Sequence, residues 1–542
     1  MARGFGRFLK RLVKQMNRPK SSQPSDHDEL AIASYPVGQP AEQPTDRLPA
    51  QPTERPMGQK IAYNTVIQFA GRIIGAILAI ISTRLIADAL GVAEYGRYAT
   101  IFAYITFFGA FADFGFFWYL VREVAKSPAS TEKITANVIT LRLLFSLGVL
   151  ILGSLIAWLI PNYDNEVKLG IILLAGSMLW VTLSNTLIGI FQANNRMDYP
   201  VINEIIGRVT TLILTVLVLK AGLGLLPIVL AALSGSFIIF ALNAIMVRRY
   251  TRLRLGFDRE LWRSIMRENL SLGINVLLGI IYFKIDSVIL SALRPSLDIG
   301  IYAAAYKIIE ILLAFPAMFM GAIFPSLAPL LIENKTKAKQ LMQIAFDALL
   351  IAGIGVWFGA AALAPEIIEL TTKGRGGFLT ASAISINGLA ITAPVILQFL
   401  LVAVFLAFLG NFYVSVIVAA GVQQRLIKTN IVNAIVNSLG NFLLIPLFSY
   451  VAAASFTIIS ELIMLFSAAI IVKGQVDFSP NWRIAPKVVL TGLAMAVVIN
   501  LTKSAGLAVA VGCGSLTFLG LNWLVGSLDP ELIRRLLNRK GS

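Results

Sequence analysis

The chain has 542 residues, of which 57% are hydrophobic and only 14% are charged, whereas soluble domains are roughly 45–50% apolar and about 25% charged. So much apolar surface exceeds what a water-soluble core can bury, which points to a polytopic membrane protein and argues against a soluble enzyme. The sequence has one cysteine, Cys513, and one histidine, His27. A disulfide framework, a Cys/His zinc site and a Cys–His or Ser–His catalytic pair are therefore excluded within one chain.

Residues 1–60 differ in composition from the rest of the chain. The stretch 3–20 is basic with scattered apolar side chains, which is typical of a short amphipathic helix on the anionic inner leaflet. Residues 21–59 are rich in Pro, Gln, Ser and Thr and cannot bury enough apolar surface to offset the entropy of ordering. We therefore predict a disordered cytoplasmic tail. His27 lies in this tail without other ligands nearby in sequence, so no metal site is expected.

From Ile61 onward, apolar runs of about 20–25 residues alternate with short polar breaks, which is the length that a bilayer-spanning helix needs. The pattern predicts fourteen spans, at 61–87, 98–120, 134–160, 168–192, 201–220, 224–247, 269–292, 300–323, 341–364, 381–420, 427–447, 452–472, 485–503 and 506–526. The tenth is too long for one straight helix. Two interpretations remain open: one broken span with an interfacial piece, or two spans, with breaks at Gly388, Pro394 and Gly410.

The distribution of Lys and Arg tests this topology, because cytoplasmic loops of membrane proteins are enriched in basic residues. With a cytoplasmic N-terminus, 33 Lys and Arg residues fall on the cytoplasmic side, 7 on the outer side and 6 within spans. This asymmetry predicts a multi-pass protein of the plasma (inner) membrane with both termini in the cytoplasm. The basic residues of the cytoplasmic segments also account for most of the net charge of +17, so no nucleic-acid partner is expected.

A duplication organises the spans. Two segments share Ala-Leu, a polar turn and Gly-x-Tyr-Ala at an offset of 204 residues, namely ADALGVAEYGRYATIFAYI and LSALRPSLDIGIYAAAYKI. Six spans separate the copies, so both have the same orientation, which predicts two parallel six-helix lobes related by an axis along the membrane normal. The alternative is that Gly and Tyr only shape a tight outer turn and anchor it at the membrane interface.

The predicted fold class is thus an all-α polytopic membrane protein with about 14 transmembrane helices in two parallel six-helix lobes plus two C-terminal helices. Its predicted parts are the tail 1–60, an N-terminal lobe at 61–250, a basic cytoplasmic linker at 251–268, a C-terminal lobe at 269–473, two further helices within 485–526 and a basic cytoplasmic tail at 527–542.

Three segments carry a family resemblance: STRLIADALGVAEYGRYATIFAYITFFGAFADFGFFWYLVREVAK, YFKIDSVILSALRPSLDIGIYAAAYKIIEIL and NIVNAIVNSLGNFLLIPLFSYVAAASFTIISEL. They resemble Wzx-type polysaccharide (O-antigen) flippases of the multidrug/oligosaccharidyl-lipid/polysaccharide exporter superfamily, over roughly residues 62–473. The resemblance implies a non-enzymatic flippase that moves oligosaccharide linked to undecaprenyl diphosphate from the inner to the outer leaflet by alternating access. Its implied partners are that lipid-linked substrate, membrane lipids and other polysaccharide assembly proteins.

Ionisable side chains within spans are costly to insert and by default mark a transport pathway. Basic residues in a cleft between the lobes would suit a diphosphate, because such groups bind phosphate oxygens. The predicted substrate-binding residues are Arg72, Arg142, Arg208, Lys284 and Lys307. The alternative is a set of structural ion pairs, since Glu204 with Arg208 and Lys307 with Glu310 are spaced for contact on one helix face.

Polar residues in the eleventh span form a stripe at intervals of four residues, which places them on one helix face: Asn433, Asn437 and Asn441. Two interpretations remain open. Such asparagines often hold helices together in membranes. Alternatively, together with Asp286, Thr457 and Glu461, they supply oxygen atoms for a coupling ion, Na⁺ or H⁺. No other cofactor is expected.

Other functions compete with the flippase. A multidrug/cation antiporter of the same superfamily would need an acidic, aromatic-lined cavity, whereas bases within the spans are as numerous as acids. A membrane enzyme of envelope polysaccharide assembly would need a sizeable outer loop, and the longest one predicted, 365–380, has sixteen residues. A pure scaffold would rarely retain so many intramembrane charges.

Overall fold

The computed structural model of the protein describes residues 57–126, 130–373, 377–386 and 388–527. The chain divides into two units, Met1–Phe69 and Ala70–Ser542. The described part of the first unit consists of the initial turns of the first helix, so residues 57–60 of the predicted tail are helical. The rest of that tail, and the basic C-terminal tail beyond Ser527, lie outside the described residues.

Helices dominate the described chain. They are α1 (Met57–Asp113), α2 (Phe116–Lys126), α3 (Thr131–Leu159), α4 (Asn165–Ala193), α5 (Asp198–Lys220), α6 (Leu225–Val247), α7 (Arg259–Leu293), α8 (Ser296–Glu333), α9 (Lys335–Ala362), α10 (Ala364–Thr372), α11 (Ala393–Ala419), α12 (Leu426–Val476), α13 (Ala485–Thr502) and α14 (Leu507–Leu524). Two short antiparallel strands, β1 (Ser385–Ile386) and β2 (Leu389–Ala390), form a hairpin between α10 and α11.

Two of these helices each contain two membrane spans. α1 is interrupted at Gly91, whose φ of 72° and ψ of 177° suit a residue without a Cβ atom. α12 is interrupted at Ser449, with a φ of 45°, where the buried Ser449 hydroxyl donates a hydrogen bond to the Asp298 carboxylate of α8.

The number of membrane crossings follows from these interruptions. Within the described residues, eleven helical stretches are long and apolar enough to cross a membrane. The second halves of α1 and α12, together with the 35-residue α7, bring the crossings to fourteen. The predicted fold class is confirmed.

The two lobes differ in how their interiors are filled. One large cluster of buried apolar residues, which includes Phe346, Phe408 and Phe412, fills the C-terminal lobe (C-lobe, α7–α12) and extends to α1, α6, α13 and α14. The N-terminal lobe (N-lobe, α1–α6) has two smaller, separate clusters, around Phe191 and around Ile101. Because helix association in lipid depends on close packing, a divided core leaves room for a cavity inside the N-lobe.

The stretch 381–420 contains one span, α11, preceded by the β-hairpin, so the interpretation as two spans is wrong. The break expected within the single span is also wrong, because α11 is continuous. Gly388 has a φ of 80° in the hairpin turn, and Pro394 lies in the first turn of α11, where a missing N–H costs no helical hydrogen bond. Gly410 lies within α11 without breaking it. The segment between α9 and α11 is therefore longer than the loop predicted at 365–380.

The linker predicted at 251–268 is helical in its second half, because α7 begins at Arg259. Asp258 caps the helix by accepting hydrogen bonds from the backbone of Glu260 and Leu261, both at 3.1 Å. The hydrogen bond that Asp258 accepts from Lys133 lowers the pKa of the Asp258 carboxyl, with 2.8 Å between the charged atoms. These contacts fasten the N-terminal end of α7 to α3 of the N-lobe.

Candidate functional site: a polar cleft between the lobes

An interface cavity of about 320 Å³ lies where the two lobes meet. It is lined by α1 on the N-lobe side and by α7 and α8 on the C-lobe side. Its lining residues are Thr83, Tyr95, Tyr98, Ala99, Phe102, Ala103, Thr106, Lys284, Ser287, Ile299, Tyr302, Ala303, Tyr306, Lys307 and Glu310.

Two lysines give this interface cavity a positive charge. Lys284 pairs with Glu310, and its ammonium nitrogen lies 4.7 Å from the centre of the Tyr306 ring. Lys307 Nζ lies 3.1 Å from the other oxygen of the same carboxylate. Two ammonium groups on one carboxylate leave one positive charge in excess. A half-buried cationic surface of this kind attracts an anion.

A second cavity, of about 460 Å³, lies inside the N-lobe. It contains an ion pair between Arg208 and Glu204, at 2.7 Å. Four residues line both this N-lobe cavity and the interface cavity: Thr83, Tyr98, Phe102 and Lys307. The two cavities therefore adjoin and form one polar cleft, to which Arg208, Lys284 and Lys307 contribute cations.

The other two predicted cationic residues do not line the cleft. Arg142 is fully buried, pairs with Asp113 of α1 and donates a hydrogen bond of 3.0 Å to Thr186 of α4. The predicted cleft position of Arg142 is thus corrected, because its helix face is turned into the N-lobe. Arg72 is exposed and lies on α1 seven residues, about 10 Å, before Ala79, which lines the N-lobe cavity.

The Arg142–Asp113 pair gives a test of its structural role. Asp113→Asn should leave the Arg142 charge without its counter-ion in a low-dielectric interior, which costs about 3–5 kcal/mol for a buried pair. We expect lower protein abundance in membranes and a lower melting temperature in detergent. The double variant Asp113→Asn with Arg142→Leu should recover most of the abundance and most of the melting temperature. Equal decreases in the single and double variants would contradict a structural role of the pair.

The helices of the duplicated motif cross at one end of the cleft. A methyl group on Gly96 would overlap the carbonyl oxygen of Ser296, and one on Gly300 would overlap that of Val92. The offset of 204 residues relates Gly96 to Gly300 and Val92 to Ser296, so each contact is the symmetry equivalent of the other. The motif therefore marks the pseudo-twofold contact between the lobes, where only glycine permits such close approach.

Further contacts between the lobes occur at the same end of the cleft. The Tyr163 hydroxyl lies 2.6 Å from Ser291 Oγ, and Asn162 donates a hydrogen bond of 2.6 Å to the backbone oxygen of Arg294. Lys373 pairs with Asp88 at 3.0 Å. Together with the glycine crossing, these contacts hold the two lobes together at that end of the cleft.

A much smaller cavity, of about 10 Å³, lies within the C-lobe between α7 and α12. Asp286 accepts hydrogen bonds from Tyr302, at 2.6 Å, and from Thr457, at 3.2 Å. Glu461 accepts one from Tyr282, at 3.1 Å. The structure thus brings the predicted residues Asp286, Thr457 and Glu461 to one buried cavity.

The asparagine stripe lies beside this C-lobe cavity and holds α12 together across its kink. Asn433 donates to the backbone oxygen of Ser460, at 3.1 Å, and Asn437 donates to the Ser460 hydroxyl, at 2.8 Å. Asn441 donates to Asn437. Since Ser460 lines the cavity, the stripe reaches the cavity through that residue.

Sequence reasoning missed several residues of these sites. Tyr282, Tyr302 and Ser460 hydrogen-bond the acidic cluster or its neighbours, and Asn185 lines the N-lobe cavity. A Tyr or Ser in an apolar span gives a weak signal, although Tyr302 belongs to the duplicated motif. Among the described residues, no group of three or more His, Cys, Asp or Glu side chains could hold a metal ion.

Fourteen crossings in two lobes around a polar cleft define the fold of a polytopic membrane transporter. The chain belongs to the family described as polysaccharide biosynthesis protein, whose model matches residues 57–331, more than half of the chain. No curated protein sequence gives a significant match.

Solved structures with the same fold include three transporters. The lipid II flippase MurJ in an inward closed conformation is similar over 88% of this chain and 100% of its own, with 17% identity and a TM-score of 0.68. An inward-facing multidrug resistance MATE family transporter is similar over 77% of this chain and 99% of its own, with 14% identity and a TM-score of 0.57. A MOP superfamily transporter from Pyrococcus furiosus is similar over 78% of this chain and 97% of its own, with 13% identity and a TM-score of 0.51.

Proposed function

We propose that this protein is a flippase that moves oligosaccharide linked to a lipid diphosphate across the plasma membrane, and that it has no enzymatic activity. The observation that carries the proposal is the cluster of Lys284, Lys307 and Arg208 in the cleft between the lobes. A diphosphate is a compact anion, and desolvated ammonium and guanidinium groups bind it through charge-assisted hydrogen bonds. Membership in a polysaccharide biosynthesis family supports a polysaccharide precursor as cargo.

Transport would proceed by alternating access. The lobes are held together at their outer ends by the glycine crossing and by the Tyr163–Ser291 and Lys373–Asp88 contacts, which corresponds to a state closed toward the outside. Rocking of the lobes about the cleft would break these contacts and expose the cargo to the outer leaflet. The lipid chain would remain in the bilayer while the polar headgroup crosses through the cleft.

A multidrug/cation antiporter is the alternative, and the aromatic side chains of the interface cavity favour it. Tyr95, Tyr98, Phe102, Tyr302 and Tyr306 all line that cavity, and aromatic rings attract organic cations. However, both acids of the cleft are already paired, Glu204 with Arg208 and Glu310 with two lysines. The remaining positive charge opposes a cationic drug.

Depletion of the protein separates these two functions. In cells that make the polysaccharide, we expect lipid-diphosphate-linked oligosaccharide to accumulate and surface polysaccharide to fall severalfold, because the precursor stays on the inner leaflet. Both can be measured by lipid extraction and by surface staining. Greater sensitivity to cationic drugs with normal surface polysaccharide would favour the antiporter instead.

We propose in addition that the C-lobe cavity binds a coupling cation, Na⁺ or H⁺. Its volume of about 10 Å³ is close to the ~10–15 Å³ that one water-sized species needs. Asp286, Thr457 and Glu461 supply oxygen ligands there, while Asn433 and Asn437 fix Ser460 beside them. Neutralising the acids by a cation would offset the cost of burying them.

Asp286→Asn and Glu461→Gln test this coupling. In proteoliposomes with the wild-type protein, we expect an imposed Na⁺ or pH gradient to raise the flipping rate. Each variant should lose that acceleration, roughly tenfold if coupling is worth about 1.4 kcal/mol, and keep the gradient-independent rate. Asp347→Asn, in the same lobe but outside this cavity, is the control. Full gradient dependence in both variants would refute the site.

For the location, we propose the plasma membrane with both termini in the cytoplasm. An even number of crossings and the excess of basic residues on the side of the N-terminus support that orientation. The outward end of the cleft is then the end with the glycine crossing.

A further inference from the structure

We infer that the N-lobe cavity receives the sugar residues next to the diphosphate, and that Asn185, Ser82 and Thr83 hydrogen-bond their hydroxyl groups. This inference rests on the proposed function and names the part of the cleft that distinguishes a glycan-bearing lipid from a bare lipid diphosphate.

The lining of the N-lobe cavity has the chemistry of a sugar site. Ser82, Thr83 and Asn185 line it, and none of the three donates or accepts a hydrogen bond within the described part of the chain. Thr83 is buried, whereas Ser82 and Asn185 are half-buried, so the polar groups of the latter two are open to a ligand in the cavity. A carboxamide and two hydroxyls both donate and accept, which matches sugar hydroxyls, whereas a phosphate would call for cations.

Two neighbouring residues are already satisfied in part. The hydroxyls of Thr211 and Ser236 donate to backbone oxygens of their own helices, at 3.0 and 2.8 Å, so only their oxygen lone pairs remain for a ligand. Glu204 accepts two hydrogen bonds from Arg208, at 2.9 and 2.7 Å. The charges of Glu204 and Arg208 thus neutralise each other, so the part of the cavity away from Lys307 suits an uncharged sugar.

An aromatic wall separates this cavity from the interface cavity. The rings of Tyr98 and Phe102, with centres 4.4 Å apart, line both cavities. One face of a sugar ring carries only C–H groups, and such a face packs on an apolar aromatic ring. A sugar that passes from one cavity to the other would lie against this wall.

The position of Lys307 links the two cavities. It lines both of them and shares the Glu310 carboxylate with Lys284. A diphosphate held between Lys284 and Lys307 would therefore direct its first sugars into the N-lobe cavity. The volume of about 460 Å³ falls within the roughly 300–1,000 Å³ of ligand pockets, whereas the C-lobe cavity offers about 10 Å³.

Binding measurements with two probes test the inference on the full-length protein in nanodiscs. One probe is undecaprenyl diphosphate, and the other is the lipid-diphosphate-linked oligosaccharide extracted from source cells that lack this protein. We expect Asn185→Leu and Ser82→Ala each to weaken binding of the glycan-bearing lipid about tenfold, as loss of one or two buried hydrogen bonds would do, and to leave binding of undecaprenyl diphosphate unchanged. Asn500→Leu, an exposed position on α13, is the matched control and should change neither.

The outcomes distinguish this inference from the proposed function. If Asn185→Leu weakens binding of both probes equally, Asn185 has a structural role and the sugar site is overturned. If Asn185→Leu and Ser82→Ala both bind the two probes as the wild-type protein does, the sugar site is overturned as well. Equal wild-type affinity for the two probes would overturn the sugar site and leave the flippase standing. If the wild-type protein binds neither probe, the proposed function fails together with the inference.

Discussion

Export of the lipid-linked oligosaccharide is expected to stop when Lys284 and Lys307 are both replaced by glutamine together with Glu310→Gln. The triple change removes the positive charge of the interface cavity without leaving an unpaired acid. Each lysine would make a charge-assisted contact to the diphosphate, worth about 1.5–3 kcal/mol. Loss of both should therefore reduce export by at least about 100-fold, measured as surface polysaccharide at matched protein abundance.

The controls for this experiment separate charge from structure. Lys284→Arg with Lys307→Arg keeps both charges, so it should retain part of the activity. Lys220→Ala with Lys503→Ala removes two lysines that line neither cavity and should export normally. Normal export by the triple glutamine variant would show that the cleft does not bind an anion through these residues.

The second large effect concerns the glycine crossing. Gly96→Val or Gly300→Val places atoms where a backbone carbonyl of the other lobe already lies, so the outer ends of the lobes have to separate. We expect export to fall at least tenfold, because a state closed toward the outside can no longer form. Gly148→Val is the matched control, since nothing lies within 4 Å of a Cβ atom there.

Thiol labelling measures this separation directly. Cys513 is the only cysteine, so Cys513→Ala with Ala103→Cys gives a single thiol in the lining of the interface cavity. A membrane-impermeant reagent added from outside should label it severalfold faster in Gly96→Val than in the parent. Equal labelling in both, with normal export, would mean that the crossing is not an outer gate.

The crossings and the repeat could be predicted from the sequence because each depends on a local pattern. Apolar length predicts fourteen spans, and the recurrence of Gly-x-Tyr-Ala predicts two equivalent lobes. The kinks at Gly91 and Ser449 lie in the breaks predicted between spans, at 88–97 and 448–451. The pattern does not show that each break is a single residue with positive φ inside an otherwise continuous helix.

The orientation of individual side chains could not be predicted in the same way. A membrane helix is apolar on its lipid face and on its packing face alike, so the sequence does not show how the helix is rotated. For this reason the sequence could not show that Arg142 pairs with Asp113 of another helix instead of facing the cleft. Asp286, Thr457 and Glu461 could be grouped in advance because polar residues are rare enough in α7 and α12 to indicate a shared interior site.

The central claim is that the cationic cleft carries a lipid diphosphate across the bilayer, and reconstituted flipping tests it most directly. Purified protein in liposomes that contain the lipid-diphosphate-linked oligosaccharide on both leaflets should make the inner-leaflet pool accessible to an enzyme that cleaves the glycan from outside. We expect wild-type liposomes to lose nearly all of this lipid to the enzyme, and liposomes with the Lys284, Lys307 and Glu310 glutamine variant to lose only about half, as protein-free liposomes do. Equal protection in wild-type and protein-free liposomes, or full accessibility with the variant, would contradict the account.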